Sequence, residues 1–291
     1  MKFKLVLGTV QLGLDYGINN SYGKPTLEDS FSILETAFDN GIRILDTAEA
    51  YGNSQEVIGE FHKKYPNKKF DVITKLAANH IVTKGDFISN IKKNCEILGV
   101  ENLYGFMFHN YNSFFSNKEF YEELLKAKEQ GLIQFAGISL YTNDEIEEVV
   151  TNFSKFDFIQ IPFNLFDNES KRKEAIEKAR EKKIEIHIRS VFLQGLFFKN
   201  YSDLPKKMSL LKPYLEELET IKEKFNVSTE ELALHYVLQK EYIDHVLVGV
   251  ENVEQLKNNL STCNKNIVIP HSVLNNINIL EVNLLNPSNW N

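Results

Sequence analysis

Short runs of apolar and β-branched residues alternate with longer segments in which apolar residues recur every three or four positions. Runs of the first kind are typical of buried strands, and segments of the second kind are typical of amphipathic helices. The predicted strands are residues 5–10, 43–48, 71–76, 103–109, 133–140, 156–163, 184–191 and 245–250. The predicted helices are residues 27–40, 56–64, 86–98, 118–130, 144–152, 169–182, 210–225 and 230–239, with a last one beginning near Asn252.

Strands that alternate with helices imply parallel pairing, and eight such units favour a closed (β/α)8 TIM barrel over an open doubly wound sheet. Neither a linker nor a low-complexity stretch interrupts the alternation, so we expect a single α/β domain spanning residues 1–291. Gly41 is placed to end the first helix, and Ser228 with Glu231 has capping-box spacing. The longest irregular segment, residues 194–209, follows the seventh strand and has the length of a lid or binding loop.

Composition limits the partners that this chain is expected to have. With 43% hydrophobic and 25% charged residues it resembles a soluble globular protein. A net charge of −7 argues against a nucleic-acid partner. Cys95 and Cys263 form neither a disulfide framework nor a metal-ligand spacing, so we expect a cytoplasmic protein without a metal site. The N-terminal apolar run is too short to span a membrane. We also expect the chain to be a monomer or a weak homo-oligomer.

Four polar side chains follow consecutive predicted strands. The second strand runs into Asp46 and then Tyr51, the third ends at Lys75, and the fourth ends at His109. The C-terminal ends of barrel strands form one shared rim, so these side chains are expected to meet there. Each alone has an ordinary explanation, namely a turn cap, a stacked loop aromatic, a solvated lysine and a structural histidine. Together they predict a catalytic site.

The chemistry of this set suits carbonyl reduction. A free tyrosine has a pKa of about 10, and a nearby lysine cation is expected to lower the pKa of Tyr51. Asp46 can pair with Lys75 and hold its ammonium beside the phenol, while His109 can donate a hydrogen bond to a substrate carbonyl. This makes a proton donor and an oxyanion-stabilising pocket. The set contains neither an activated nucleophile nor a metal site, so hydrolysis fits poorly.

The segment GIRILDTAEAYGNSQEVIGE, residues 41–60, resembles the strand-two signature of the aldo/keto reductase family. The motifs ITK and FHN follow in the family's order, and the similarity continues through GIS, QIPFN, RSVFLQGL and GVENVEQLKNNL. Asp46, Tyr51, Lys75 and His109 match the family's catalytic tetrad. The resemblance implies an NAD(P)-dependent oxidoreductase that reduces an aldehyde or ketone to an alcohol, or catalyses the reverse, with Tyr51 as general acid and base.

The resemblance also implies a nicotinamide cofactor across the top of the barrel. Ser139 and Gln160 match the positions that bind the carboxamide, whereas Leu140 stands where the family often has asparagine. Arg189 replaces the tyrosine on which the nicotinamide ring usually stacks; a planar guanidinium can stack as well, or it can form an internal ion pair with a rim carboxylate. The other cofactor contacts implied are Gly8, Thr9, Asp46, Phe192, Gln194, Leu196, Gly249, Asn252, Gln255 and Asn259.

The two forms of the cofactor differ by a 2′-phosphate at the adenosine end. Family members that prefer NADP(H) usually carry lysine or arginine there, whereas this chain has Glu251 and its nearest cation in sequence is Lys257. A carboxylate at that point repels the phosphate. The family resemblance favours NADP(H) and the local residues favour NAD(H), so the sequence favours NADP(H) only slightly.

Aromatic and amide side chains accompany the rim loops. They are Tyr16, Tyr22, Tyr111, Phe114, Phe115, Phe163, Asn19, Asn20, Asn110 and Asn112. Such a mixture would suit a sugar-like carbonyl substrate, and ordinary loop packing is the alternative.

Two other functions compete with a reductase. One is a non-catalytic nicotinamide-binding subunit, regulatory or structural, for which all four tetrad residues would be unnecessary. The other is a lyase that forms a Schiff base on Lys75, but such a lysine needs an apolar or cationic environment, and Asp46 has the opposite effect.

Overall fold

Eight parallel strands close into a barrel in which each strand pairs with the next along the chain and the last pairs with the first. The structure is a computed structural model that describes residues 4–78, 84–265 and 267–290. The strands are β1 (Leu5–Gly8), β2 (Ile44–Asp46), β3 (Asp71–Leu76), β4 (Leu103–Phe108), β5 (Ile133–Ser139), β6 (Phe158–Pro162), β7 (Glu185–Arg189) and β8 (His245–Gly249). The predicted single-domain (β/α)8 barrel is confirmed, with every strand end within two residues of its expected place.

The helices surround this barrel. They are α1 (Val10–Gly13), α2 (Leu27–Asp39), α3 (Ser54–Lys64), α4 (Phe87–Leu98), α5 (Tyr111–Ser116), α6 (Phe120–Glu129), α7 (Asn143–Asn152), α8 (Glu169–Glu181), α9 (Lys212–Phe225), α10 (Thr229–Leu238), α11 (Val253–Cys263) and α12 (His271–Asn275). The nine predicted helices are all present, whereas α1, α5 and α12 were not predicted because each is shorter than two helical turns and shows little periodicity. In the described part of the chain no helix is long and apolar enough to cross a membrane.

Local sequence sets several helix ends as expected. Gly41 adopts a left-handed φ of +92° just after α2. Ser228 and Glu231 form a complete capping box at the start of α10. The segment after β7 is more ordered than the sequence indicated, because 3₁₀ turns at Leu193–Phe198, Tyr201–Asp203 and Lys206–Leu211 occupy most of it.

The centre of the barrel is filled by Phe158. Its ring occupies space left by two glycines on neighbouring strands: a Cβ at Gly137 would lie 2.3 Å from the ring, and one at Gly105 would lie 3.3 Å from it. Ile73 and Met107 complete this cluster of buried residues. The barrel is therefore a packed core with no open channel, and space for a ligand exists above this layer, at the C-terminal rim.

Candidate active site

A buried ion pair occupies the rim between β2 and β3. Asp46 and Lys75 are 2% and 1% exposed, and the Lys75 ammonium donates to the Asp46 carboxylate. The same ammonium donates to the carbonyl oxygen of Thr47 at 2.9 Å. Gln160 Nε2 on β6 donates to the other carboxylate oxygen of Asp46 at 2.8 Å. These bonds fix both charged groups in the barrel mouth.

Tyr51 lies in the loop after β2, beside this pair. The loop passes so close to α1 that a Cβ at Gly13 would lie 1.7 Å from the Tyr51 carbonyl oxygen, and Gly52 turns the chain with a φ of +54°. Lys75 Nζ lies 5.0 Å from the centre of the Tyr51 ring. The ring of Tyr51 meets His109 edge to face, with centroids 5.8 Å apart. The four predicted catalytic residues therefore come together in one place.

The environment of Tyr51 keeps its phenol protonated. Burial raises the pKa of Tyr51, the Asp46 carboxylate raises it further, and the Arg189 guanidinium opposes both. The sequence led us to expect that Lys75 would lower this pKa, and that expectation was wrong. The main reason is burial, which disfavours the charged phenolate, and the Asp46 carboxylate bonded to Lys75 adds to this effect. Tyr51 thus holds a proton at neutral pH and releases it only to a strong base.

His109 is electrically neutral near pH 7. Burial, together with the positive charges of Lys75 and Arg189, lowers the pKa of His109 to about 4. Its Nδ1 is buried and has no hydrogen-bond partner among the described residues. A neutral imidazole carries one N–H donor, so His109 can polarise a carbonyl oxygen without adding a charge to the site.

A cavity of about 1040 Å³ opens at the C-terminal rim, and all four of these residues line it. Most of the predicted cofactor-binding residues line it too: Gly8, Thr9, Asp46, Ser139, Gln160, Arg189, Phe192, Gln194, Gly249, Gln255 and Asn259. Leu196 and Asn252 do not belong to this lining. Leu196 is fully buried in the hydrophobic core, and the side-chain oxygen of Asn252 caps α11 by accepting from the backbone N–H of Gln255 at 2.9 Å.

Arg189 stacks on an aromatic ring that the sequence did not single out. Its guanidinium carbon lies 4.1 Å from the centre of the Tyr141 ring. The ion pairs formed within the described ranges do not include Arg189, so the alternative of an internal salt bridge is not supported. Tyr16 was noted only for its aromatic ring, yet its hydroxyl also accepts a hydrogen bond from Gln194 Nε2 at 2.6 Å. Both tyrosines lie on loops, where the sequence has no periodic pattern from which their contacts could be predicted.

A family model described as "Aldo/keto reductase family" matches residues 4–281. The chain belongs to the aldo/keto reductase family. Members of this family are oxidoreductases that use nicotinamide cofactors. An oxidoreductase of Bacillus subtilis, named as uncharacterized, is 25% identical over 257 residues, which cover 81% of this chain and 82% of the relative. The "Probable aldo-keto reductase 1" of Glycine max is 25% identical over 273 residues, covering 84% and 78%.

Solved structures support the same architecture for this aldo/keto reductase. The holo form of an aldo-keto reductase from Bacillus halodurans superposes with a TM-score of 0.74 at 18% identity, covering 95% of this chain and 92% of that one. At this identity the likeness shows the fold alone. It agrees with the closed eight-stranded barrel described above.

The cavity of this aldo/keto reductase fits a dinucleotide. Its volume lies at the upper end of the range of about 300–1,000 Å³ that is usual for ligand sites, which leaves room for a small second molecule. Gln11 Oε1 and His109 Nδ1 are buried in the cavity wall, and neither has a hydrogen-bond partner among the described residues. A polar ligand in the cavity could supply these hydrogen bonds. Gly249 lies against Gln11, so a larger residue there would displace this amide.

The rim residues considered for substrate binding divide into two groups. Tyr16, Asn19, Asn110, Tyr111 and Asn112 line the cavity. The others do not: Phe114 and Phe163 are fully buried in the core, Tyr22 and Phe115 are exposed, and Asn20 lies outside the lining and stabilises its own loop. For Phe114 and Phe163 the alternative of ordinary packing was therefore correct.

The low pKa of His109 makes stability depend on pH. Its pKa is about 4 in the folded protein against 6.5 for the free side chain, so the unfolded chain takes up the proton first as the pH falls. We expect the free energy of unfolding to keep its full His109 contribution above pH 6.5 and to lose about 3 kcal/mol as the pH falls from 6.5 to 4. Urea unfolding of wild type and His109→Gln at several pH values measures it. A pH dependence that is identical in both proteins would show that His109 is not shielded from protons.

Proposed function

We propose that this protein reduces an aldehyde or ketone to an alcohol, or catalyses the reverse reaction, by hydride transfer with a nicotinamide cofactor. The observation that supports this most strongly is the contact of a protonated Tyr51 with the Asp46–Lys75 ion pair and a neutral His109 in one cavity. The test is to follow the absorbance of NADPH or NADH with a panel of reactive aldehydes and ketones, including sugars.

Each of the four predicted catalytic side chains has a separate role in the proposed reaction. The cofactor supplies a hydride when it is bound. Tyr51 gives its phenolic proton to the carbonyl oxygen, so that one hydride and one proton convert the carbonyl to an alcohol. The N–H of neutral His109 donates to the same oxygen and stabilises negative charge there. Lys75, fixed by Asp46, provides a positive charge 5.0 Å from the centre of the phenol ring and stabilises the phenolate that proton transfer leaves.

Residues on β5, β6 and β7 are suited to hold the reactive ring of the cofactor. Gln160 uses its amide N–H group on Asp46, which leaves its side-chain oxygen to accept from a carboxamide. Ser139 lines the cavity beside it and supplies a hydroxyl. The stacked pair of Arg189 and Tyr141 offers flat faces at the same rim. The orientation of the ring therefore depends on these four side chains.

The adenosine end of the cavity carries negative rather than positive charge. Glu230 and Glu251 line it, and the described residues that line this end include no lysine or arginine. The Glu251 carboxylate accepts from Gln255 Nε2 at 3.1 Å, which keeps it there, whereas Lys257 is turned to Glu254 at 3.7 Å. We therefore propose that NAD(H) is accepted at least as well as NADP(H), although the family resemblance favours NADP(H).

Reversing the charge at Glu251 should change this preference. In Glu251→Lys an ammonium replaces the carboxylate, so the affinity for NADPH relative to NADH is expected to rise about tenfold, or about 1.4 kcal/mol. Fluorescence titration with both cofactors measures the ratio. Glu254→Lys is the matched control, because it reverses a charge at an exposed position of α11 that does not line the cavity, and it should leave the ratio unchanged. A large preference for NADPH in the wild type would contradict the proposal.

The mouth of the cavity favours a hydroxylated substrate. Asn19, Asn110, Asn112 and Asn117 line it together with Tyr111. Amide groups bind hydroxyls through both their donors and their acceptors, and an aromatic face packs against a sugar ring. We propose a small polyhydroxylated carbonyl compound as the substrate class. Higher kcat/KM for aldoses or ketoses than for apolar aldehydes of equal size would support it, and the reverse order would contradict it.

The other two candidate functions receive less support. A Schiff-base lyase needs a neutral Lys75. Burial lowers the pKa of this lysine, but the Asp46 carboxylate bonded to it opposes that shift and favours the ammonium. A non-catalytic cofactor-binding subunit would not require a protonated phenol facing an unpartnered imidazole nitrogen in the same cavity. Trapping with borohydride and a carbonyl compound distinguishes the lyase, because only a lyase would yield a Lys75 adduct.

A further inference from the structure

A second polar cluster lies at the end of the barrel opposite the cavity. Glu185 and His187 on β7 and His245 on β8 place one nitrogen or carboxylate oxygen each within 4.8 Å of one another. Glu185 and His245 are the first residues of their strands, and His187 pairs with His245 in the β7–β8 ladder. The cluster therefore lies toward the N-terminal ends of β7 and β8, in contact with Phe158.

The barrel holds these side chains on its inner face. Alternate residues of a strand share a face, and Arg189, two residues beyond His187, lines the cavity at the other end. The His187 ring stacks on Phe158 with centroids 4.3 Å apart and meets His245 edge to face at 4.5 Å. The two imidazoles are 1% and 3% exposed, so neither can turn out into water. Their positions are set by packing.

The chemistry of the cluster is that of a metal-ligand set. Two imidazoles and one carboxylate are the combination that binds zinc and similar divalent ions. His187 Nε2 and Glu185 Oε2 lie 3.5 Å apart, which is long for a hydrogen bond. Two ligands of one tetrahedral zinc, with bonds of about 2.1 Å, lie about 3.4 Å apart. The pair is therefore spaced for a shared cation.

One further observation favours a ligand at this place. The Glu185 side chain is 35% exposed, so an ion can reach the cluster from the N-terminal mouth and the carboxylate can move to complete the coordination. The motions needed are of about an ångström, within the reach of side-chain rotation.

We propose that Glu185, His187 and His245 bind one divalent transition-metal ion, with Zn²⁺ as the ion of best fit, and that it links β7 to β8 at the floor of the barrel. The site is distinct from the proposed reductase site, because Glu185, His187 and His245 do not line the rim cavity. Features of the N-terminal face of such barrels commonly serve stability, and the ion is expected to raise the temperature of unfolding. A metal site was not expected from the sequence, because the two cysteines lack a metal-ligand spacing and Glu185, His187 and His245 lie on two different strands.

Cobalt binding to the full chain tests the proposal. Metal-free protein is titrated with Co²⁺, whose visible absorption reports four-coordinate binding, and Zn²⁺ is then added to displace it. We expect one equivalent per chain in the wild type and at least about 100-fold weaker binding in Glu185→Gln and His187→Gln. Glu101→Gln, an exposed glutamate, and His235→Gln, a buried histidine outside the cluster, are the matched controls and should bind like the wild type.

Because Glu185 is partly exposed, Glu185→Gln should disturb the fold less than His187→Gln does. Circular dichroism verifies that both variants are folded. Absence of cobalt binding to the wild type would overturn the proposal. So would full-strength binding in both Glu185→Gln and His187→Gln, since the ion would then lie elsewhere. Thermal unfolding with and without Zn²⁺ provides a second readout: the metal should raise the midpoint in the wild type and in Glu101→Gln, and leave Glu185→Gln unchanged.

Discussion

Replacing Tyr51 by phenylalanine is expected to lower kcat for carbonyl reduction about 10²–10⁴-fold, the usual contribution of a positioned general acid. The change removes one oxygen and leaves the ring in contact with His109. The Lys75 ammonium keeps its bonds to Asp46 and Thr47, because neither involves the phenol. The dissociation constant for NADPH or NADH should therefore change little. Steady-state kinetics and fluorescence titration measure the two effects separately.

Tyr111→Phe is the matched control for this prediction. Tyr111 also lines the cavity, but it is only partly buried and lies in α5 at the mouth. Its loss is expected to act on KM for a hydroxylated substrate and to leave kcat close to that of the wild type. Turnover in Tyr51→Phe at the wild-type level, with Tyr111→Phe unaffected as well, would show that the proton comes from another group.

Replacing Asp46 by asparagine is expected to lower the free energy of unfolding by about 3–5 kcal/mol, the usual cost of breaking a buried ion pair on one side only. Asparagine keeps the size and can still accept from Gln160 or Lys75. It leaves the ammonium of Lys75, 1% exposed, without a carboxylate. Denaturant unfolding of both proteins measures the difference. Activity should fall as well, since the ammonium is no longer fixed beside the phenol.

Two further variants distinguish the loss of the Asp46–Lys75 ion pair from a general effect of charge removal on stability. Glu147→Gln breaks the exposed pair of Lys178 and Glu147, and the expected cost is at most about 1 kcal/mol. In the double variant with Asp46→Asn and Lys75→Met, both charges are absent, so part of the lost stability should return. Additive losses in the double variant would contradict the account of an interacting pair.

The architecture of this protein was largely predictable because its pattern is strongly periodic. Strand β3 was predicted with its observed bounds, and the capping residues at Ser228 and Asn252 begin their helices as expected. Short helices such as α1 and α5 were missed, since a single turn leaves too few residues to show a period. The alternation of strands and helices was therefore enough to predict the fold. The shared C-terminal rim of the barrel then indicated where catalytic residues would lie.

The candidate site was predictable only in part. The association of Asp46, Tyr51, Lys75 and His109 followed from strand order, but the direction of the Tyr51 pKa shift depended on the burial of its phenol and on the nearby Asp46 carboxylate. The stacking of Arg189 on Tyr141 joins the last residue of β7 to the loop after β5, and no local sequence pattern predicts such a contact. By contrast, the cluster near the floor had a visible sign: Glu185 and His187 are polar residues in alternate positions of β7, separated by isoleucines.

Single-turnover reduction is the decisive measurement for the proposed reductase activity. Wild-type protein is first titrated with NADPH and NADH, and the loaded protein is then mixed rapidly with a panel of aldehydes, ketones and sugars. We predict that a reduced cofactor binds and that at least one carbonyl compound oxidises it in a step that slows in deuterated water, because a phenolic proton moves. Tight cofactor binding without oxidation by any member of the panel would contradict this account and favour a non-catalytic subunit.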